Sequence, residues 1–427
     1  MQVVYEALLV EESVFILGQV CKEFRLLTTK AQAKKLNTLI QAKKKPVGFF
    51  STQRWAEAAI EYSFLDLLEC CREHVPSWIC SLAAKKGNLS VLKWAVRKGY
   101  TRSHLTCSEA VKRGDKEMLQ WLISTGCGYN AFLCASAAEV GNLEMLQWLR
   151  ERGFPWDEYT SMYAIEKNHP HVLQWARSQG CPWRERDVCS EAARTGNLEM
   201  LQWCREEGKA PFNEWTFTCA AGTGNLEMVK WLREQGCPWN KHASSKAAES
   251  GNLELLQWLR KEGCPWDAFV CSAAALSGNL EMVQWCHLQQ ETLDVSVCSS
   301  AAMRGHLHIL QWARANGYPW KKDVCYYATK GGHLPILQWA RANGCPWDKE
   351  TTFAAVASGD LEMVKWVREQ GCPWSEKACY EAAYRGYLDI IKWIRNEGCP
   401  WSKDTYLAGK CAGKKMASWL EENGCPR

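Results

Sequence analysis

The sequence predicts an all-α fold, an α-solenoid of stacked helix-turn-helix repeats. Three observations predict it. One tryptophan returns at a fixed interval, each copy carries its own helix start and stop signals, and no stretch alternates with the two-residue period of a strand.

The returning tryptophans are Trp94, Trp121, Trp148, Trp175, Trp203, Trp231, Trp258, Trp285, Trp312, Trp339, Trp366, Trp393 and Trp419. Their spacing is 27 residues, with two steps of 28 and a last step of 26. A fixed period of this size marks a repeat array, because one unit cannot bury its own apolar face and must stack on neighbours. Twenty-seven residues leave room for two short helices and two turns.

The second helix of a unit is written most clearly in Asn142 to Arg152, where Leu143, Met145, Leu146, Trp148 and Leu149 wrap more than half the helix. Such a pattern belongs to a helix packed on both sides. Asn142 is placed to cap it, Glu144 sits in its first turn, and Arg150 and Arg152 lie in its last. Gly153 accommodates the left-handed terminal conformation, and Pro155 forbids continuation. The same punctuation returns at Gly236-Cys-Pro-Trp239, Gly263-Cys-Pro-Trp266, Gly344-Cys-Pro-Trp347, Gly371-Cys-Pro-Trp374 and Gly398-Cys-Pro-Trp401. The segment before it, Phe132 to Ala138, is rich in small residues and predicts a shorter first helix, antiparallel to the second, joined through Glu139-Val140-Gly141. Each anchor tryptophan is expected to bury roughly 150 to 250 Å². A second tryptophan row, including Trp156, Trp183, Trp239 and Trp266, is expected to form a structural ladder from layer to layer.

Length alone suggests about three domains, yet the repeat runs from residue 78 to 427 as about 13 units and reads as one elongated domain. Residues 51–77 read as a degenerate repeat or an N-terminal cap, and residues 1–50 as a separate helical segment. Three internal units depart from the pattern, at Asn168-His-Pro170, Lys209-Ala-Pro-Phe212 and Gln289 to Leu293.

The net charge is +5 and acidic and basic residues alternate within each unit, which argues against nucleic acid and acidic membranes as partners. No apolar run approaches the length of a membrane helix, so the expectation is an intracellular protein of cytoplasm or nucleus, and a monomer. The 23 cysteines fall largely into two columns. Eight, among them Cys80, Cys107 and Cys134, occupy one point of the first helix. Eight more, among them Cys127, Cys181 and Cys237, follow the glycine that ends the second. Members of one column belong to successive layers, too far apart for a disulfide, and read as reduced core residues. The absence of any C-x-x-C pair and the scattered histidines leave no metal site, and no cofactor or catalytic motif is found.

The core of each unit, clearest in Ala137-Ala138 followed by Gly141-Asn142-Leu143-Glu144-Met145-Leu146, resembles the second half of an ankyrin repeat over about 350 residues. In particular the array resembles the shortened, tryptophan-rich ankyrin arrays of giant DNA viruses, protists and algae. It lacks the T-P-L-H opening and about six residues where a β-hairpin finger would project. The resemblance implies a non-enzymatic protein-protein interaction scaffold whose partner meets the exposed face of the first helices. One position of that helix varies widely between units, and Glu109, Ser136, Tyr163, Glu191, Lys246, Ser300, Tyr327 and Glu381 at this position are the candidate partner-binding face. Ahead of the array, Val20-Cys21-Lys22-Glu23-Phe24-Arg25 resembles the second half of an F-box, without its opening Leu-Pro. That resemblance implies the alternative of a substrate adaptor in which Val20, Cys21 and Phe24 dock on the Skp adaptor subunit of a cullin-RING ubiquitin ligase while the repeats select the target.

Overall fold

In the computed structural model, residues 30–41, 53–266, 269–289 and 294–426 are described. They form helices joined by turns, with no strand among them. The chain divides into two compact units, residues 1–195 and residues 196–427. Each is a stack of antiparallel helix pairs in which first helices pack on first helices of neighbouring layers. Among the described residues no helix is long and apolar enough to cross a membrane.

The first compact unit opens with the helix Lys30–Gln41, which packs on the pair Gln53–Tyr62 and Leu65–Cys70. That pair lies within residues 51–77. Asn37 accounts for part of the contact, since its buried carboxamide oxygen accepts from the Leu67 amide at 3.0 Å.

A representative layer has its first helix at Phe132–Glu139 and its second at Leu143–Glu151. Asn142 caps the second helix by accepting from the Met145 amide at 2.9 Å. At the other end Gly153 adopts φ +76°, and the amides of Gly153 and Phe154 bond back to Arg150 and Leu149 at 3.0 and 3.1 Å. In the irregular layers other residues take over the left-handed positions: Asn168 at φ +59° and Lys209 at φ +56°.

The cap asparagine also binds the layer before it. In the second compact unit the Asn252 side-chain N–H donates to the Gly224 carbonyl at 2.8 Å while its oxygen caps the helix at Leu255 N, 3.0 Å. Asn279 repeats the pair on Gly251 and Met282, at 3.2 and 3.0 Å. In the first compact unit Asn88 donates to Ile60 O at 2.8 Å and accepts from Val91 N at 3.1 Å. Where histidine replaces asparagine, the imidazole takes the interlayer bond, as with His169 on Glu139 O and His306 on Leu276 O. The turn glycine must then stay glycine. A Cβ on Gly278, already at φ +83°, would stand 2.6 Å from His306 Cε1.

The core differs from the expectation in one respect. Met145, Leu146 and Leu149 are buried against Leu133, Cys134, Ala137 and Ala138, but the anchor Trp148 is only half-buried. Of the anchors, Trp94 is the one with less than a tenth of its surface exposed. The gap between small-residue first helices admits leucine, methionine and cysteine, and the larger indoles are left at the seam between layers. There most turn tryptophans meet the anchor of the next layer edge-on, as in Trp156 with Trp175 at 6.1 Å and Trp347 with Trp366 at 6.1 Å, whereas Trp239 meets Phe217 at 5.4 Å. An arginine of the preceding helix covers the ring face, Arg150 over Trp156 at 4.1 Å and Arg341 over Trp347 at 4.2 Å. These turn tryptophans therefore bridge to anchors. The irregular layer keeps the arrangement with Phe212, which Arg205 covers and which meets Trp231 at 5.8 Å.

The two roles of the cap asparagine are separable. Asn252→Asp, which keeps a cap acceptor and removes the interlayer donor, is expected to cost about 1 kcal/mol, and Asn252→Ala, which removes both, about 2 kcal/mol. Thermal unfolding midpoints should rank wild type above Asp above Ala, and equal midpoints for the two variants would show the cap to be idle.

Candidate binding surface

The positions singled out on the first helices do not share one environment. Lys246 is exposed and pairs with Glu249 at 2.5 Å. Glu109, Tyr163, Glu191, Ser300, Tyr327 and Glu381 are half-buried. Glu191 is held by Arg194, and Glu381 by Arg385 at 2.5 Å. Tyr163 packs edge-on against Phe132 at 6.2 Å and lies 6.5 Å from Tyr159.

Ser136 departs from the expected exposed face. It is fully buried, donates to the Phe132 carbonyl at 2.8 Å and shares a short hydrogen bond with Ser108 of the adjacent layer. Its small side chain lets the two first helices close over it, which makes it a packing residue. Val20, Cys21 and Phe24, named for F-box docking, lie outside the described residues.

Sequence reasoning missed the exposed apolar residues of the same helices. Leu105, Tyr159, Trp215, Met303, Tyr380, Tyr384 and Leu407 all lie on first helices and are exposed, and Trp78 and Phe269 stand one residue before one. In the first compact unit Trp78, Leu105, Phe132 and Tyr159 recur at intervals of 27, at the opening of successive first helices. Trp215 and His242 recur in the second and stack in parallel, 6.3 Å apart. The signal was available as a column of large side chains at one register position, hidden by the more frequent tryptophans.

The family model described as "Ankyrin repeats (many copies)" matches residues 189–233. Over those residues the chain carries ankyrin repeats. No curated protein matches the sequence. Among solved structures, the human ASB11 ankyrin repeat domain is 18% identical, with 37% of this chain and 84% of that one covered at a TM-score of 0.29. The maize pentatricopeptide repeat protein PPR10 is 12% identical, with 99% and 81% covered at a TM-score of 0.34.

Within an ankyrin unit the two cysteine columns face each other. The Cys107 thiol donates to Cys127 with the sulfurs 3.0 Å apart, both buried and unlinked. The separation of 20 residues recurs at Cys325 with Cys345 and Cys379 with Cys399, where the first thiol faces the backbone carbonyl of the second at 4.0 and 3.8 Å. Comparing members of one column could not reveal this, because the pair forms across columns where the chain returns along its second helix. The donated bond and burial keep Cys107 a thiol. Burial is the main cause that pushes Cys134 and Cys298 up to about 12 and Cys80 up to about 11. Among the described residues no group of three or more His, Cys, Asp or Glu is placed to hold a metal ion.

Cys80, Cys134 and Cys298 are therefore unreactive while the layers are closed, whereas the bond donated by Cys107 lowers Cys127 to about 7 and burial is not enough to raise Cys345 and Cys399, which are lowered as well. With iodoacetamide at pH 8, the exposed Cys411 should be modified about a hundredfold faster than Cys80, Cys134 or Cys298, and peptide mass mapping measures the order. Comparable native labelling of Cys134 would contradict the buried-column assignment.

Proposed function

We propose that this chain is a non-enzymatic protein-binding scaffold whose partner lies along the exposed face of the first helices. The ankyrin match supports a protein-interaction role. The observation that carries the choice of face is the recurrence of exposed large apolar side chains on the first helices. Exposed Leu105, Tyr159, Trp215, Tyr380, Tyr384 and Leu407 stand on first helices, whereas turn tryptophans such as Trp156 and Trp347 are covered by arginines and engaged with the next anchor. Exposed aromatic side chains at regular intervals are the usual anchors of protein interfaces. Glu109, Tyr163, Glu191, Lys246, Ser300, Tyr327 and Glu381 flank the apolar positions and are read as its polar rim.

A photo-reactive benzoylphenylalanine placed at Lys246 or Tyr384 should cross-link partner proteins in extracts, and the same group at Gln257 or Lys392 on second helices should yield at least about fivefold less. Equal yields on the two faces would sink this assignment.

The finer reading makes the scaffold a substrate adaptor, with Val20, Cys21 and Phe24 docking a Skp subunit. Its support is the resemblance of Val20 to Arg25 to an F-box. The full chain should then co-purify with Skp, and a chain lacking residues 1–45 should not. A folded full-length chain that fails to retain Skp removes the adaptor reading and leaves the scaffold.

A further inference from the structure

Three units place a cysteine at both ends of the 20-residue return, Cys107 with Cys127, Cys325 with Cys345 and Cys379 with Cys399. Elsewhere the turn cysteine faces a hydroxyl, as Ser161 donates to Cys181 at 3.4 Å and Ser244 to Cys264 at 3.5 Å. The three pairs are not alike. The Cys325 and Cys379 thiols face the backbone carbonyls of Cys345 and Cys399, whereas the Cys107 sulfur lies 3.0 Å from the Cys127 sulfur. A disulfide bond is about 2.05 Å long, so these two atoms need close by only about 1 Å to form one.

The turn that carries Cys127 is the one free to make that movement. In the other two units an arginine clamps the turn. Arg341 donates to the Cys345 carbonyl and lies 4.2 Å over Trp347, and Arg395 donates to the Cys399 carbonyl and lies 3.9 Å over Trp401. Pro346 and Pro400 stiffen the step after the cysteine. The Cys127 turn replaces all three devices, with Ile123 at the arginine position, Gly128 at the proline position and Tyr129 at the tryptophan position. A Cβ built on Gly126 or Gly128 would meet nothing within 4 Å, so the chain on both sides of Cys127 borders open space. Cys127 is 5% exposed, and Cys107 behind it is fully buried.

The pair is also chemically asymmetric. Cys107 donates to Cys127, and the Cys127 thiol in turn faces the Ser103 carbonyl at 3.4 Å. The bond from Cys107, opposed by burial and aided by the charge of Arg102, brings Cys127 to about 7. Arg102 is held beside the turn by its bond to the Thr125 carbonyl at 2.7 Å. The outer sulfur is thus the nucleophile and the inner one keeps its proton. Cys345 and Cys399 are lowered as well, so the sulfur contact and the missing clamp, not acidity, set this pair apart.

We propose that Cys107 and Cys127 are a redox site, a dithiol that hydrogen peroxide converts to a reversible disulfide within one layer. The Cys127 thiolate attacks the O–O bond, an S–O bond forms, and the hydroxide released is protonated to water. The Cys107 sulfur then attacks Cys127, the S–S bond forms as the S–O bond breaks, and the departing hydroxide takes the Cys107 proton as a second water. The two thiols lose two electrons and the peroxide gains them. The new bond ties the first helix His104–Arg113 to the turn that follows the second helix Lys116–Ser124, so the oxidised layer opens less readily than the reduced one. This site stands whether or not the scaffold reading does.

The reduced full chain is treated with hydrogen peroxide at neutral pH, alkylated in denaturant and mapped as unreduced peptides. The Cys107–Cys127 link should form at least about tenfold faster than a Cys325–Cys345 or Cys379–Cys399 link, and dithiothreitol should return both thiols. Ile123→Arg with Gly128→Pro installs the residues that the clamped turns hold and should slow the link about tenfold. Cys107→Ser installs the residue that Ser161 and Ser244 already set against a turn cysteine, and Cys127 should then stop at the sulfenic acid, captured by dimedone. Circular dichroism and the thermal midpoint check that the variants are folded. The proposal is overturned if the native chain forms no Cys107–Cys127 link while the exposed Cys411 is oxidised, or if the three pairs link at equal rates. A folded Ile123→Arg, Gly128→Pro chain that links as fast as wild type overturns it too.

Discussion

Where asparagine starts a second helix, as at Asn88, Asn225, Asn252 and Asn279, its carboxamide is the contact on which the stack depends. Its oxygen accepts from the amide three residues on, and its N–H donates to a turn carbonyl of the preceding layer, as Asn252 does with Leu255 and Gly224. A helix end and a layer register are thereby set by one side chain. The glycine that supplies the carbonyl must adopt positive φ and leave room for the next cap, so turn and cap constrain one another. Histidine serves by reaching a carbonyl two residues before the turn glycine, as His306 does at Leu276 O. Asp360, which caps through Met363 N at 3.2 Å, has no donor for the interlayer bond.

With the register set, the two helices of a unit take different work. First helices carry alanine, serine and cysteine inward, so neighbouring layers approach closely and hydroxyls such as Ser108 and Ser136 meet across the gap. Second helices carry leucine and methionine into the space left, and their tryptophans remain at the seam. Arginine over one face and an indole edge on the other side keep these rings engaged even where they reach solvent. Leu105, Tyr159, Trp215, Tyr380, Tyr384 and Leu407 on the first helices are exposed, and their recurrence from layer to layer distinguishes that face from single exposed residues such as Leu288 on a second helix.

The candidate site was partly legible. Variation between units drew attention to the position of Glu109 and Lys246, since a side chain free of stacking duty is free to change. Variation, however, treats Ser136 and Tyr163 alike, although one is sealed between helices and the other borders Phe132 and Tyr159. The column of Trp78, Leu105, Phe132 and Tyr159 was overlooked because its signal is a large side chain kept at one register position, not diversity across all.

Fold class, helix boundaries and layer period were determined by the sequence itself, because their causes are local. Asn142 caps a helix, Gly153 ends it and Pro155 prevents its resumption within one short segment. Which side chains become core was decided only by the packed layers. Trp148 reads as the most apolar anchor of its helix, yet the spacing between neighbouring first helices admits Leu146 and Leu149 and leaves the indole at the seam. The donation from Asn252 to Gly224 and the meeting of Cys107 with Cys127 likewise require the rotation of one helix against another. A period of 27 states how often the chain returns; the distance and angle at which it returns come from the volumes that must fit between the layers.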